Sequence, residues 1–424
     1  MTVLFNFIVL LIGTIELRIV LKRIINKNNN ILDICFVVFY AMQILPLLVE
    51  IVTNDIDSIK DESMIMYYAM TDDNTSYIYD TFLLLTIFFF HRITHKKDIS
   101  TTNVIDLVRD VTHRLRINTF FSFILMGGIF IPLFIAVYFS PNSDVYSQFS
   151  YFYTHELSRE TLEYLYHTTV VSTCSQLTLA SILLSYFFQN KRKYNYSFII
   201  YLGIIMLTWV DGKRAMLIYA LLGILMIDYI KSAKRNHSLI KKSVLFLFIT
   251  ISYFFVYSNI TDKGSNSSFF VEYSCYFSRL SPVKVAIYDS LYTQKILEYT
   301  GQSVLFDLFY FVPRSFWENK PVMFCRYFTG YAYTGDGSQM LTGNLHVNLW
   351  SEYIANFGLW GYWIATCIVY LYTKIINKTK NIIGIFCGTF FILSYFMFGF
   401  ESIVIVAYTI WLLTFLFFRN KSFL

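Results

Sequence analysis

Charge is what this sequence has least of. Only 15% of its 424 residues are Asp, Glu, Lys or Arg, against about a quarter in soluble globular domains. That shortage argues against a soluble protein of this size. The seven histidines are scattered and the six cysteines are not clustered, so nothing resembles a zinc site, and no metal or cofactor is expected. Neither a Walker phosphate loop nor a Rossmann glycine fingerprint occurs, so an ATP-driven pump is not indicated. Linkers rich in glycine, serine or proline, low-complexity tracts and internal repeats are absent as well. Nothing therefore divides residues 1–424 into separate domains.

In place of charge the chain carries apolar surface. It is 56% hydrophobic and 20% aromatic, with a mean hydropathy of +0.51. The apolar residues fall in runs such as "SVLFLFITISYFFVYSNI" and "IVIVAYTIWLLTFLFF", and one helical crossing of a bilayer takes about 20 of them. The expected fold is an all-α polytopic membrane protein forming a single integral membrane domain. About eleven transmembrane helices are expected, at 3–19, 31–53, 77–92, 117–139, 168–189, 197–210, 214–230, 243–260, 348–373, 382–398 and 402–418. The first is not read as a cleavable signal peptide, because Arg18, Lys22 and Arg23 follow its apolar run instead of preceding it.

The net charge of +6 does not imply a nucleic-acid partner, since the basic residues lie between spans and no RNA- or DNA-binding pattern accompanies them. Placing the loop at 20–30 inside puts most of the 34 lysines and arginines in inside loops, as the positive-inside rule requires. The amino terminus is then outside and the carboxyl terminus inside. Two outside segments break the rule. One is the turn "DGKR" (Asp211 to Arg214). The other is the large loop 261–347 between helices eight and nine, and loops of that length are usually functional.

In "DGKR", Gly212 permits a tight turn, and Lys213 and Arg214 follow at a helix amino terminus, where free N–H groups already favour anions. In the large loop, "SPVKVAIYDSLYTQKILEYTG" and "SVLFDLFYFVP" have the pattern of helices lying on the membrane surface. Pro313 ends the second and places Arg314 at its exit. Arg279, Arg314, Lys320 and Arg326 are spaced through this loop, and the planar fork of arginine suits phosphate and diphosphate oxygens. His346 falls where the loop re-enters the membrane. An imidazole there has the right chemistry for a general base on a sugar hydroxyl. Glu352, one turn further on, is costly inside a membrane unless paired, and a nearby arginine is its expected partner. "DID" (Asp55 to Asp57) has the spacing of a metal-binding pair but sits in a generally acidic loop. Cys35, Cys174, Cys367 and Cys387 lie within helices as packing residues. Cys275 and Cys325 share the large loop, where an oxidising exterior permits a disulfide.

The elements "GKRAML", "VPRSFWENKP" and "SEYIANFGLWG", with one large outer loop in the carboxyl-terminal half, resemble the bacterial O-antigen polymerases of the Wzy type. These oligosaccharide repeat-unit polymerases are related to the O-antigen ligases. The ligases carry a histidine–asparagine pair before a glycine-rich re-entry; here Val347 stands between His346 and Asn348. The resemblance implies a GT-C-like fold in the inner membrane and metal-independent glycosyl transfer on its periplasmic face, polymerising lipopolysaccharide units. Donor and acceptor would both be oligosaccharides on undecaprenyl diphosphate. His346, Arg314 and Arg214 would be catalytic, and Lys213, Arg279, Lys320, Arg326 and Glu352 substrate-binding. Membrane lipids and a chain-length regulator protein are the other candidate partners. The competing readings are an O-antigen ligase, a polyprenyl-phosphate-dependent glycosyltransferase using "DID", and a lipid-linked oligosaccharide flippase or other transporter.

Overall fold

The computed structural model describes residues 2–26, 30–53, 55–94, 119–154, 161–188, 197–231, 237–260, 273, 278–341, 345, 347–378, 382–400 and 402–418. Among them the chain is helical, with no strand. The helices used below are, first, α1 (Thr2–Ile25), α2 (Ile31–Thr53), α3 (Met64–Thr71), α4 (Asp73–Thr94), α5 (Thr119–Tyr138) and α6 (Leu162–Phe188). Next come α7 (Ser197–Asp211), α8 (Arg214–Lys231), α9 (His237–Ile260), α10 (Leu280–Tyr288) and α11 (Gln302–Phe309). The last are α12 (Phe324–Thr334), α13 (Leu349–Phe357), α14 (Trp360–Lys378), α15 (Ile382–Phe398) and α16 (Ser402–Phe418).

Among the described residues three helices are long and apolar enough to cross a membrane: Val3–Ile25, Ile31–Thr53 and Leu162–Phe188. Phe123–Tyr138, Ser197–Asp211 and Gly384–Met397 are shorter apolar helices. On α1, Phe7, Leu11 and Ile15 are exposed, a surface that hydrocarbon solvates and water does not. The chain is a helical membrane protein.

In their described residues the expected segments fall mainly on helix. α1 and α9 run past their apolar stretches at basic ends, because Lys and Arg propagate a helix as well as Leu does. The ninth segment needs correction, since the helix over 348–373 is broken. α13 stops at Gly358, whose backbone (φ 63, ψ −158) lies in a region essentially reserved for glycine, and α14 starts afresh at Trp360. Gly361 is also required, because a Cβ there would collide with the carbonyl of Tyr353.

The chain forms two compact units, Met1–Asn103 with Ser267–Phe423, and Val104–Asn266. In the first, α10 packs against α3, α4 and α13, while α2 packs against α15. α10 is buried on every side from Leu280 to Ile287. This corrects the surface-lying helix expected over Ser281–Gly301. The polar residue that made the segment look amphipathic, Lys284, is fully buried and donates to both carboxylate oxygens of Glu50 at 3.2 and 3.3 Å. A buried lysine is tolerated only with such a partner.

α2 is interrupted by a π turn at Tyr40–Ile44, just before Pro46. Proline has no N–H to offer the carbonyl four residues back, which here belongs to Met42. That carbonyl instead accepts the backbone N–H of Arg279 at 2.9 Å, and the neighbouring Gln43 carbonyl accepts the Tyr79 hydroxyl at 2.8 Å. In the second unit, α6 packs on α5, α7 and α8. A methyl group at Gly128 would run into Ser181, and one at Gly203 into Ile129, so these contacts depend on small residues, as membrane helices often do.

Candidate functional site

Residues 309–323 fold back on themselves. Pro313 follows α11, and the chain returns so that Lys320 Nζ donates to the carbonyls of Tyr310 (2.7 Å) and Val312 (2.9 Å). Arg314 sits at the bend, exposed, with its guanidinium donating weakly to Glu318 O (3.4 Å) and to Pro321 O (3.2 Å). Burial and the adjacent Arg314 charge lower the Lys320 pKa from its ordinary value. Two aromatics of this segment point outward, Phe311 and Phe316, which are 66% and 85% exposed, while Tyr310 packs on Phe400 and Tyr408. Arg326 is exposed on the first turn of α12. Lys320 itself is 6% exposed and its ammonium is taken up by those two carbonyls, so it holds the bend together. The arrangement presents one exposed cation, Arg314, beside exposed apolar rings, a combination suited to the phosphate of a lipid.

Arg279 does not join them. It is 2% exposed, and its guanidinium donates to the carbonyls of Met397, near the carboxyl end of α15, and of its neighbour Ser278 (2.7 Å). A cation capping the last carbonyls of a helix complements both their lone pairs and the helix dipole. With its N–H on Met42 O, Arg279 fastens the start of the loop to two helices. It is a structural clamp, and the substrate-binding role expected for it is corrected accordingly.

Glu352 is fully buried, and its partners are not arginines. Ser303 Oγ donates to one carboxylate oxygen at 2.7 Å and the Tyr395 hydroxyl lies 3.0 Å from the other. The same hydroxyl lies 2.9 Å from Asp307 Oδ2. Asn356 completes the group by donating to Ser303 Oγ and to the Glu352 carbonyl, both at 2.7 Å. One phenol proton cannot serve two anions, and neighbouring carboxylates in a buried site do not both ionise. Burial and the Glu352 charge push the Asp307 pKa well up, so the pair retains a proton where a free aspartate has already lost it. The break at Gly358 places Glu352 on the short helix α13 and not on the long helix α14. Sequence reasoning missed Asp307, Ser303, Tyr395 and Asn356. The available signal was spacing, with Ser303 and Asp307 four apart on α11 and Glu352 and Asn356 four apart on α13.

In the second unit the "DGKR" turn is as expected, with Gly212 at φ 69 and α8 starting at Arg214. Lys213 Nζ donates to Ser172 Oγ at 3.3 Å, and the Arg214 guanidinium stacks 4.8 Å from the Tyr257 ring. Asp211, fully buried, has Lys213 as its counter-charge. His167 lies against it, with Nε2 3.2 Å from the Asp211 carbonyl and its ring stacked on Phe152 at 4.2 Å. Both cations are already held by protein groups and only partly exposed.

His346, Cys275 and His155 lie outside the described residues. Among the described residues no cluster of three or more His, Cys, Asp or Glu has metal-site geometry. The chain matches no family model, no curated protein and no solved structure.

Proposed function

We propose that this protein polymerises oligosaccharide repeat units carried on undecaprenyl diphosphate, by metal-independent glycosyl transfer at the periplasmic face of the inner membrane. In this reading about eleven helices span the bilayer and 261–347 is the periplasmic cap. The observation that carries it is the Arg314 bend, an exposed guanidinium set among the exposed Phe311 and Phe316 and held in place by the buried Lys320. A lipid diphosphate brings anionic oxygens and an apolar tail to one place, and this segment has the complementary pair. Departure of the diphosphate leaves negative charge on its oxygens, which fixed guanidinium groups stabilise as it develops.

Arg314 has the catalytic role and Arg326 binds the same headgroup, while Lys320, buried with its ammonium on the Tyr310 and Val312 carbonyls, holds the bend that presents Arg314 and leaves the substrate-binding set. Lys213 and Arg214 form a separate cationic turn proposed to contact phosphate in its own right. His346 is proposed to take the proton from the acceptor hydroxyl, a contribution worth about 10²–10⁴-fold. Arg279 and Glu352 leave the substrate-binding set for the structural reasons given above.

Deleting the gene and separating the surface polysaccharide by electrophoresis tests the reading. A polymerase deletion leaves lipid core carrying a single repeat unit, whereas loss of a ligase leaves no attached unit and an unchanged ladder rules out both. Complementation with Arg314→Lys should restore little of the ladder, because an ammonium cannot reproduce the bidentate fork. Arg314→Ala should lower the rate with purified lipid-linked units by about 10²-fold or more. Normal chain lengths from both variants at normal expression would remove Arg314 from the mechanism.

A further inference from the structure

We propose that the surface of the first unit formed by Tyr68, Tyr288 and Tyr292, edged by Asp72 and Asn74, binds the sugar rings of an oligosaccharide. Tyr68 lies in α3, Asp72 between α3 and α4, Asn74 in the first turn of α4, Tyr288 at the end of α10 and Tyr292 in the π turn Asp289–Thr293 that follows it. Tyr68 and Tyr292 are 44% and 51% exposed. Tyr288 and Tyr292 stand 4.9 Å apart, tilted by 54°, and Tyr68 and Asp72 are close enough to Tyr288 to act on it electrostatically.

The rings are held. The Tyr292 hydroxyl donates to the Asp72 carboxylate at 3.2–3.3 Å and accepts from Asn74 Nδ2 at 3.1 Å. Asp72 is fixed in turn by the N–H and hydroxyl of Thr75 at 2.8 and 2.7 Å. Tyr68 is backed by Tyr67 at 6.0 Å, and Lys60 covers the Tyr67 ring at 4.4 Å.

A pyranose presents C–H bonds on one face and hydroxyls around its edge. The C–H face packs on the electron-rich face of an aromatic ring, and the edge needs both donors and acceptors. Carboxylate and amide supply both at Asp72 and Asn74. The surrounding charge is negative, from Asp61, Glu62, Asp72 and Asp73 against Lys60, which disfavours an anionic lipid surface and a phosphate alike. The occupant is therefore the glycan and not its diphosphate. This rests on the proposed function for which glycan is meant, and it deepens that reading by giving the sugar chain a site of its own.

The probe is lipid-free glycan released by mild acid from the surface polysaccharide of the source strain and fractionated by size. It is titrated into the full chain in phosphatidylcholine nanodiscs, with binding followed by saturation-transfer NMR. Wild type should bind. Tyr68→Ala combined with Tyr292→Ala should weaken binding about tenfold or more, the loss expected for two stacked rings. Tyr292→Phe keeps the ring and should keep most of the affinity, and monodisperse elution certifies that each variant is folded. Arg314→Ala should bind the lipid-free glycan as wild type does. Equal binding by the double variant, or none by wild type, overturns the platform. So does a change in retained lipid, in phosphatidylglycerol nanodiscs, in place of a change in glycan affinity. A deletion strain with an unchanged ladder overturns the polymerase reading instead, so the two failures are read from different experiments.

Discussion

Arg279 and Arg314 carry the same guanidinium into opposite surroundings, and the difference predicts opposite phenotypes. Removing Arg279 strands the Met397 carbonyl inside the fold, and an unsatisfied buried acceptor costs about 1–3 kcal/mol. Arg279→Ala should therefore lower the melting temperature, measured by fluorescence-detected size exclusion after heating in detergent. Arg314→Ala should leave that temperature unchanged while polymer is lost. Equal melting for Arg279→Ala and wild type would dismiss the clamp. The sequence could not separate these two residues, because what decides between them is distant in the chain. Arg279 meets Met42 and Met397, whereas Arg314 meets residues four and seven positions away. Lys284 misleads for the same reason, since it reads as a surface charge until Glu50, 234 positions earlier, is seen beside it.

At the scale of elements, the Asp307–Glu352 pair joins α11 to α13 and, through Tyr395, to α15. The pair holds a proton in the fold at pH values where the unfolded chain has already released it. Its contribution to stability is therefore full below the ordinary aspartate value of 3.8. It declines as pH rises from there and is gone above the raised folded value. Asp307→Asn keeps a hydrogen-bond donor next to Glu352 and removes the titration. Melting temperatures measured from pH 4 to 8 should fall more steeply with rising pH for wild type than for the variant. Parallel curves would show that the pair does not share a proton. Gly358→Ala should destabilise the joint between α13 and α14 by about 1–3 kcal/mol, visible in the same melting assay. Hydropathy located the helical segments well because each is a local run. It missed this break because "IANFGLWGYW" is apolar apart from Asn356, and a backbone angle leaves no trace in hydropathy. Only the pair of glycines marked it.

For the whole molecule, orientation is the decisive quantity, and Ser338 is placed to report it. Exposed in the turn after α12, with its N–H on Asp336 Oδ1 at 2.9 Å, it faces the periplasm in the proposed orientation. Ser338→Cys should react with a membrane-impermeant thiol reagent in cells whose outer membrane is permeabilised and whose inner membrane is intact. Labelling only after inner-membrane lysis would invert the topology and remove the proposed function with it. Loop charge carries the orientation in the sequence. Division into two units was not legible there, because the first unit is assembled from both ends of the chain.

The interruption before Pro46 has a consequence for how the protein is made. The Met42 carbonyl waits for an N–H that belongs to residue 279. At about 5–20 residues per second, the ribosome delivers that partner roughly ten to fifty seconds after α2 has been synthesised. During that interval α2 lacks the contact that Arg279 makes with it, and the residues of the second unit emerge in between. The first unit is thus without its later half for much of translation. A truncated product that stops before Arg279 should be recognised as unfinished and degraded.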